Sequence, residues 1–307
     1  MRYVIFNVDG KLGDGVLLTF LVEGIIKNDA NAYITVVSNG VMVSLWECDK
    51  RINDVIEIDR KSWVAHIRHA FSLWRPDFLM FFDNHKSEKI RLFRNLVRAR
   101  KVLVEKVRET EHAGLRGIRM LQQIFPNSKT AFSLKTDIVS EWGALCDKVY
   151  LPKVAEYLIF NPDSSGPPGT LNDEMMIRVL RVILATNLPI VILGSRESVI
   201  RNFLNEQRFS ESLRQISFWR LSGDDGLKKL FSLVKYAKFV VSVDTGVVHV
   251  ASVLGVKSIS IIKECHSKSW YPLTPGSSIV ISDSENISDF DFAVFSERFR
   301  SLMRDNV

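Results

Sequence analysis

Two stretches of the sequence combine residue types that can bind an anion or move a proton. In the first, an apolar run is followed by Asp244, Thr245 and Gly246, with His249 three residues further on. The first amides of a helix lack partners within the helix and carry partial positive charge, so a helix that starts here can hold a phosphate. We predict Asp244 as the N-cap, Thr245 as a hydroxyl donor and Gly246 as the point of close approach. The alternative is a capped core helix with a buried histidine.

The second stretch follows the amino-terminal apolar run, where Gly10, Gly13 and Gly15 surround Asp14. Their spacing is G-x-x-G-x-G and not the G-x-G-x-x-G of dinucleotide-binding sites. A carboxylate at this helix start would repel a bound pyrophosphate, but it can accept a proton from a substrate hydroxyl. We therefore predict Asp14 as a general base, with Asp9 as a weaker candidate. The alternative role for Asp14 is helix capping.

Two further loops follow apolar runs that read as strands. The loop PDSSGPPG spans 162–169, where Ser164 and Ser165 could contact a polar ligand. The loop GSRES begins at Gly194, and we expect it at the same edge of the sheet. The histidines and cysteines show no clear metal-ligand spacing, so we expect no metal site.

Short apolar runs alternate with longer helical patterns along the whole chain of 307 residues. Such alternation indicates βαβ units and parallel sheets. We predict an α/β protein with two doubly wound domains, at 1–152 and 153–287, and a carboxyl-terminal segment, 288–307. The predicted strands are 3–8, 32–38, 55–59, 77–83, 101–105, 157–161, 189–194, 238–243 and 256–262.

The carboxyl-terminal segment has the pattern of an amphipathic helix. Ser288 is the predicted N-cap, and one stripe contains Phe292, Phe295, Phe299 and Leu302. We expect this helix to pack back toward the first domain.

The composition is that of a soluble globular protein, with 46% apolar and 25% charged residues. The three cysteines are far apart and include no C-x-x-C pair, which favours a reducing compartment. The amino terminus reads as a strand and not as a signal peptide, and no apolar run is long enough to cross a membrane. We therefore expect a cytoplasmic location.

Positive charge is concentrated in one part of the chain. Residues 60–119 include 15 Lys or Arg and 6 Asp or Glu, whereas the net charge of the whole chain is +6. This segment could face a phosphorylated lipid, an acidic sugar or a nucleic acid, or it could be a solvated helix face. The basic residues on or near one predicted helix are Lys86, Lys89, Arg91, Arg94 and Arg98.

The stretch 221–262 resembles the carboxyl-terminal signature of the bacterial ADP-heptose–lipopolysaccharide heptosyltransferases, glycosyltransferase family nine. In that family a leucine-rich helix leads to a strand, then to D-T-G-x-x-H-x-A, then to L-G and another strand. The matching residues here are Asp244, Thr245, Gly246, His249, Ala251, Leu254 and Gly255. The first turn is also similar, with Leu12, Gly13 and Asp14 matching L-G-D.

The resemblance implies two Rossmann-like domains facing across a cleft, the GT-B type. It implies an inverting, metal-independent transfer of a sugar, a heptose, without a cofactor. The catalytic role falls on Asp14, and the donor, an ADP-sugar, would be bound by Asp244, Thr245, Gly246 and His249. The acceptor would be a lipopolysaccharide core or related phosphorylated glycolipid or saccharide, bound by the first domain at the inner face of the inner membrane. A peripheral contact with an anionic membrane surface is expected, and no nucleic acid.

Two departures from the family pattern lie where donor contacts are expected. No lysine occurs from Ser164 to Asp173, and the usual G-K-T-S segment is GDDG at 223–226. Alternatives are therefore a non-catalytic or differently specific nucleotide-sugar-binding protein on the same fold, a nucleotide-sugar epimerase, or a nucleic-acid-binding module. An epimerase would need no separate acceptor, and nucleic-acid binding would need a basic stripe with stacking aromatic residues.

Overall fold

The computed structural model describes residues 1–8, 11–59, 61–82, 88–128, 152, 156–206, 216–221 and 225–304. The chain divides into two compact units, Met1–Trp142 and Gly143–Val307. The predicted boundary at 152/153 falls where few residues are described, and it stays a prediction, as does the arrangement of the two domains across a cleft.

The first unit contains a five-stranded parallel sheet with the strand order β3-β2-β1-β4-β5. Its core strands read as continuous apolar runs because helices cover both faces of a parallel sheet. The strands are β1 (Arg2–Asn7), β2 (Tyr33–Ser38), β3 (Asp54–Glu57), β4 (Phe78–Phe82) and β5 (Lys101–Glu105). The helices are α1 (Leu12–Asn28), α2 (Val41–Glu47), α3 (Trp63–Ser72), α4 (Glu88–Val97) and α5 (Leu115–Ile124).

The second unit contains a six-stranded parallel sheet with the order β11-β10-β9-β6-β7-β8. Its strands are β6 (Leu158–Asn161), β7 (Ile190–Leu193), β8 (Ile216–Trp219), β9 (Phe239–Val243), β10 (Ser258–Lys263) and β11 (Ser278–Ser282). Its helices are α6 (Asp173–Leu184), α7 (Glu197–Glu206), α8 (Gly226–Lys235), α9 (Gly246–Val253), α10 (Glu264–Ser267) and α11 (Phe292–Arg304). Over the described residues of both units, no helix combines the length and apolarity needed to cross a membrane.

Each sheet has one point where the strand order reverses. In the first unit this point lies between β1 and β4, and in the second between β6 and β9. Ligands of open α/β sheets bind outside the carboxyl ends of the strands at such a point. The prediction of two doubly wound α/β domains is therefore confirmed. The loops after β1, β6 and β9 lie at the reversal points, where a ligand site is expected.

Helices α1 and α5 approach each other closely because each has a glycine at the crossing. A Cβ atom on Gly24 would lie 2.1 Å from Cδ1 of Leu121, and one on Gly117 would lie 3.3 Å from Cβ of Leu21. Larger residues would push the two helices apart. This close packing holds the first turn of α5 beside the first turn of α1.

The carboxyl-terminal helix begins later than the sequence predicts. Asp291 caps α11, since its Oδ1 accepts hydrogen bonds from the amides of Ala293 (2.7 Å) and Val294 (3.3 Å). The prediction of Ser288 as N-cap is wrong, because its hydroxyl instead accepts a hydrogen bond from the amide of Asn172 at 2.8 Å. The apolar stripe is confirmed in the core of the second unit, where Phe299 meets Phe239 edge to face. Packing toward the first domain stays a prediction.

We predict that Gly24→Val lowers the free energy of unfolding by about 1–3 kcal/mol, because the new side chain must displace Leu121. Thermal and urea unfolding followed by circular dichroism measure the loss. The matched control is Lys27→Val on the exposed side of the same helix, which should cost less than about 1 kcal/mol. Equal losses at both positions would show that the helix crossing tolerates a side chain and does not depend on Gly24.

Candidate active site

Asp14 lies in the first turn of α1 and is held by two contacts. Its Oδ2 accepts a hydrogen bond from the backbone amide of Lys11 at 3.2 Å, and its Oδ1 accepts one from Nη2 of Arg116 at 2.6 Å. The Asp14 side chain is 19% exposed, whereas that of Arg116 is 1% exposed. The carboxylate therefore does cap the helix, and it also reaches solvent with lone pairs to spare.

Arg116 comes from the first turn of α5, more than 100 residues away from Asp14 in the chain. Its guanidinium carbon lies 5.5 Å from the centre of the Phe82 ring, at the carboxyl end of β4. An ion pair with a buried arginine fixes the orientation of a carboxylate, because the planar guanidinium offers donors only in set directions. Arg116 is thus a positioning residue for Asp14 in the first unit.

The start of α9 differs by one residue from the prediction. Thr245 is the N-cap: its hydroxyl accepts a hydrogen bond from the amide of Val247 at 3.4 Å, and Gly246 is the first helical residue. The prediction of Asp244 as N-cap is wrong, because its amide still donates to the carbonyl of Ile261 across the sheet at 2.9 Å.

The carboxylate of Asp244 contacts a side chain of α10. Its Oδ2 lies 2.9 Å from Nδ1 of His266, whose side chain is 49% exposed. This contact links the loop after β9 to α10, the helix that follows β10. The donor-binding role of Asp244 stays a prediction, and His266 joins it as a neighbour that the sequence did not suggest.

The loops after β6 and β9 are joined by a hydrogen-bond network around Asn161. The side-chain amide of this buried residue donates to the hydroxyl oxygens of Ser242 and Thr245, both at 3.0 Å. Asn161 is the last residue of β6, and Ser242 lies in the neighbouring strand β9. The network fixes the N-cap of α9 at the point where the strand order reverses, so the free amides of the first helical turn are presented at the expected ligand-binding edge.

His249 lies inside the second unit. Its side chain is 3% exposed, and its ring meets the ring of Trp270 edge to face at 5.5 Å. This position agrees with the alternative of a core histidine that supports the loop bearing Trp270. The predicted role of His249 as a phosphate ligand stays a prediction.

The loop after β6 is closed by its own polar side chains. The hydroxyl of Ser164 donates to the carbonyl of Gly166 at 3.1 Å, and the amide of Ser164 donates to the hydroxyl of Thr170 at 2.9 Å. Ser164 therefore shapes the loop, whereas Ser165 is exposed on it. Contact of either serine with a donor stays a prediction.

Gly194 has a close-approach role that only glycine can fill. Its φ is +139°, and a Cβ atom here would lie 2.3 Å from Oδ2 of Asp163. Asp163 in turn accepts hydrogen bonds from the amide of Ser195 at 3.2 Å and from Nε of Arg196 at 2.8 Å. Gly194 lets the loops after β6 and β7 meet, and its contact with a ligand stays a prediction.

The remaining predicted residues belong to the basic segment or to ranges without a description. Asp9 and Lys86 lie outside the described residues, as do Gly223 and Asp224 of the GDDG segment. In the described part of the chain, no group of three or more His, Cys, Asp or Glu side chains could hold a metal ion. The side chains of Lys89, Arg91 and Arg94 on α4, and of Arg98 directly after it, are exposed or half-buried.

The family model of glycosyltransferase family 9 (heptosyltransferase) matches residues 72–293, well over half of the chain. The chain belongs to glycosyltransferase family 9. The match includes Arg116, Asn161 and the start of α9, whereas Asp14 lies before its first residue. The resemblance seen in the sequence is therefore confirmed, and the protein is a glycosyltransferase.

Solved structures of low sequence identity share the fold over nearly the whole chain. A glycosyltransferase family 9 protein from Veillonella parvula has a TM-score of 0.75 at 16% identity, over 99% of this chain and 97% of that one. E. coli ADP-heptose lipopolysaccharide heptosyltransferase II has a TM-score of 0.74 at 16% identity, over 100% of both chains. E. coli heptosyltransferase WaaC with ADP-2-deoxy-2-fluoro heptose has a TM-score of 0.69 at 13% identity, over 100% of both chains. Comparison with curated proteins gave no match.

Two of the residues that shape this site, Arg116 and Asn161, were not predicted from the sequence. Arg116 gave no signal, because nothing in the sequence around it points to a carboxylate 102 positions earlier in the chain. Asn161 did give one: it ends the apolar run YLIFN, and a polar side chain at the carboxyl end of a buried strand lies at the ligand edge of a parallel sheet.

We predict that Arg116→Gln lowers the turnover of sugar transfer by about tenfold or more while ADP binding changes little, because misplacing a reacting group is costly. Steady-state kinetics and calorimetric titration with ADP measure the two effects. Arg119→Gln is the matched control in the same helix, since Arg119 pairs with Glu105 and Glu111 and not with Asp14. An equal loss of turnover in both variants would remove the positioning role from Arg116.

We predict that Gly246→Val weakens ADP binding about tenfold or more, because a branched side chain blocks the approach of phosphate to the first-turn amides of α9. Gly246→Ala should have a smaller effect and completes a graded series. Calorimetric titration gives the dissociation constants, and melting without ADP reports any loss of stability. An unchanged dissociation constant in the valine variant would place the phosphates elsewhere.

Proposed function

We propose that this family 9 glycosyltransferase moves a heptose from an ADP-linked donor to a saccharide of a lipopolysaccharide core or a related phosphorylated glycolipid. The observation that carries the proposal is the start of α9, which the Asn161 network fixes at the reversal point of the second sheet. The likeness in fold to E. coli heptosyltransferase WaaC, a structure that contains an ADP-heptose analogue, supports the choice of donor.

The donor diphosphate would lie at the first turn of α9. The amides at a helix start and the helix dipole favour negative charge there. Their attraction to the diphosphate grows as negative charge develops on this leaving group. This arrangement supports transfer without a metal ion. Arg196 is already committed to Asp163 and Asp173, so the proposal assigns the phosphate charge to the helix start and not to that arginine.

The acceptor hydroxyl would lie beside Asp14 in the first unit. The carboxylate takes the hydroxyl proton as the oxygen attacks the anomeric carbon of the donor sugar. The new glycosidic bond forms on the face opposite the leaving group, so the configuration at that carbon inverts. The bond from the anomeric carbon to the diphosphate oxygen breaks, and ADP leaves with the electron pair.

A phosphorylated glycolipid acceptor would bring the enzyme to a membrane surface. We place this contact at the inner face of the inner membrane and assign it to the basic segment of the first unit. The exposed side chains of Arg91 and Arg94 on α4 and of Arg98 directly after it support an attraction to anionic lipid of about 1 kcal/mol for each basic residue near the surface.

We predict that Asp14→Asn lowers turnover by about a hundredfold or more, the usual scale of a lost general base. The amide keeps an oxygen that can accept the hydrogen bond from Arg116, so the fold and ADP binding should be nearly unchanged. Transfer from ADP-heptose to a soluble core saccharide measures turnover, and calorimetry measures ADP binding.

Turnover and ADP binding of the Asp14→Asn variant together distinguish a lost general base from wider damage to the protein. Turnover of the Asp14→Asn variant within about threefold of the wild type would exclude Asp14 as the general base, since such a loss is far below the usual contribution. Loss of turnover together with loss of ADP binding would instead point to damage beyond the acceptor side.

A further inference from the structure

The outer face of α3 in the first unit exposes large apolar side chains. They span roughly 100° of the helix circumference and therefore share one side, which adjoins the side that buries His66 and Ala70. The exposed fractions are 43% for Trp63, 75% for Val64, 37% for Ile67 and 56% for Phe71. An exposed apolar patch of this kind marks a surface that meets another molecule.

Positively charged side chains lie directly over the aromatic rings at the edges of this patch. Nζ of Lys89 is 5.7 Å from the centre of the Trp63 ring. The guanidinium carbons of Arg75 and Arg98 are 5.5 Å and 5.0 Å from the centre of the Trp74 ring. Cation–π contacts thus keep positive charge beside the apolar side chains.

Acidic side chains are scarce around this patch. Helix α3 contains Arg68 and no Asp or Glu, and α4 contains one acidic residue, Glu88, against three basic ones. The stretch 60–76 has no acidic residue at all. A partner must therefore offer an apolar interior and a negatively charged border at the same time.

We propose that this surface docks the protein on an anionic lipid bilayer by inserting the α3 side chains between the headgroups. The membrane-docking surface comprises Trp63, Val64, Ile67, Phe71 and Trp74 with Lys89, Arg91, Arg94 and Arg98. The proposal rests on the proposed function, which supplies the reason to bind a membrane. It adds the insertion of apolar side chains to the charge attraction as a source of membrane affinity.

A bilayer fits this surface better than a second protein does. Tryptophan is enriched at membrane interfaces, where one side of the ring is apolar and the other is wet, and lysine or arginine beside it meets lipid phosphate. Lysine, by contrast, is depleted at protein–protein interfaces. Two copies of this chain that met through the same patch would bring like charges together at its border.

The test is co-sedimentation of the full chain with two kinds of vesicle. One kind is pure phosphatidylcholine, and the other contains about one third phosphatidylglycerol, which carries the negative charge. Each is used at low salt and at about 0.5 M NaCl, where the charge attraction is screened. The wild type should bind the anionic vesicles, and a part of the binding should survive high salt.

Two variants separate the apolar and the charged contributions. Val64→Gln/Ile67→Gln/Phe71→Gln should lower partition to anionic vesicles about tenfold or more at both salt concentrations, because it removes the inserted area. Its control is Tyr271→Gln/Ile281→Gln at exposed positions of the second unit, which should bind like the wild type.

Arg91→Gln/Arg94→Gln/Arg98→Gln should remove only the salt-sensitive part of the binding. Its control is Arg298→Gln/Arg300→Gln/Arg304→Gln on α11 of the second unit, which removes the same charge from exposed arginines elsewhere. Melting temperatures check that every variant is folded.

Two outcomes would overturn the proposal. One is equal binding of the wild type and the α3 variant to anionic vesicles, which would leave charge alone as the cause. The other is absence of vesicle binding, with a protein dimer in light scattering that the α3 variant abolishes, which would make the surface an interface between copies. Vesicle binding without any sugar transfer to a soluble acceptor would instead support this surface and contradict the proposed function.

Discussion

The parallel pairing of β6 with β9 is the constraint on which the candidate site of the second unit depends. The two strands are far apart in sequence, yet their pairing brings Asn161 to the N-cap hydroxyl of Thr245, a residue 84 positions later. The hydrogen bond fixes where α9 begins, and the beginning of α9 fixes which amides are free. In the first unit the close crossing of α1 and α5 fixes the position of the Asp14 carboxylate, because it brings Arg116 into contact with it.

Much of this fold could be predicted from the sequence because parallel strands between two layers of helices are apolar on both faces. β5 matches its predicted range, and β9 lies within one residue of it. Recognition failed at the two edges of the second sheet, where β8 and β11 are only partly buried and their short apolar runs are interrupted or flanked by polar residues. Helix starts were also missed by a few residues, since Ser288 and Asp291 are both good caps and only the contact with Asn172 decides between them.

Those parts of the candidate site that consist of residues adjacent in the chain could be predicted from the sequence. The contacts between residues far apart in the chain could not. The helix start at Thr245 and Gly246 could be located because a strand end, a cap and a glycine are adjacent in the chain. The partners of Asp14 and Asp244 could not, since Arg116 and His266 reach them only through tertiary packing. The apolar face of α3 was missed for a related reason: four large apolar residues in a helix read as core until the structure shows them exposed.

The central claim is that the free amides at the start of α9 hold the donor diphosphate in this family 9 glycosyltransferase. The measurement that tests it most directly is a crystal structure of the protein with ADP. The account predicts phosphate oxygens within hydrogen-bond distance, about 2.7–3.2 Å, of the first-turn amides of α9, beside Gly246. Ordered ADP whose phosphates lie away from α9, with that helix start open to solvent, would contradict it.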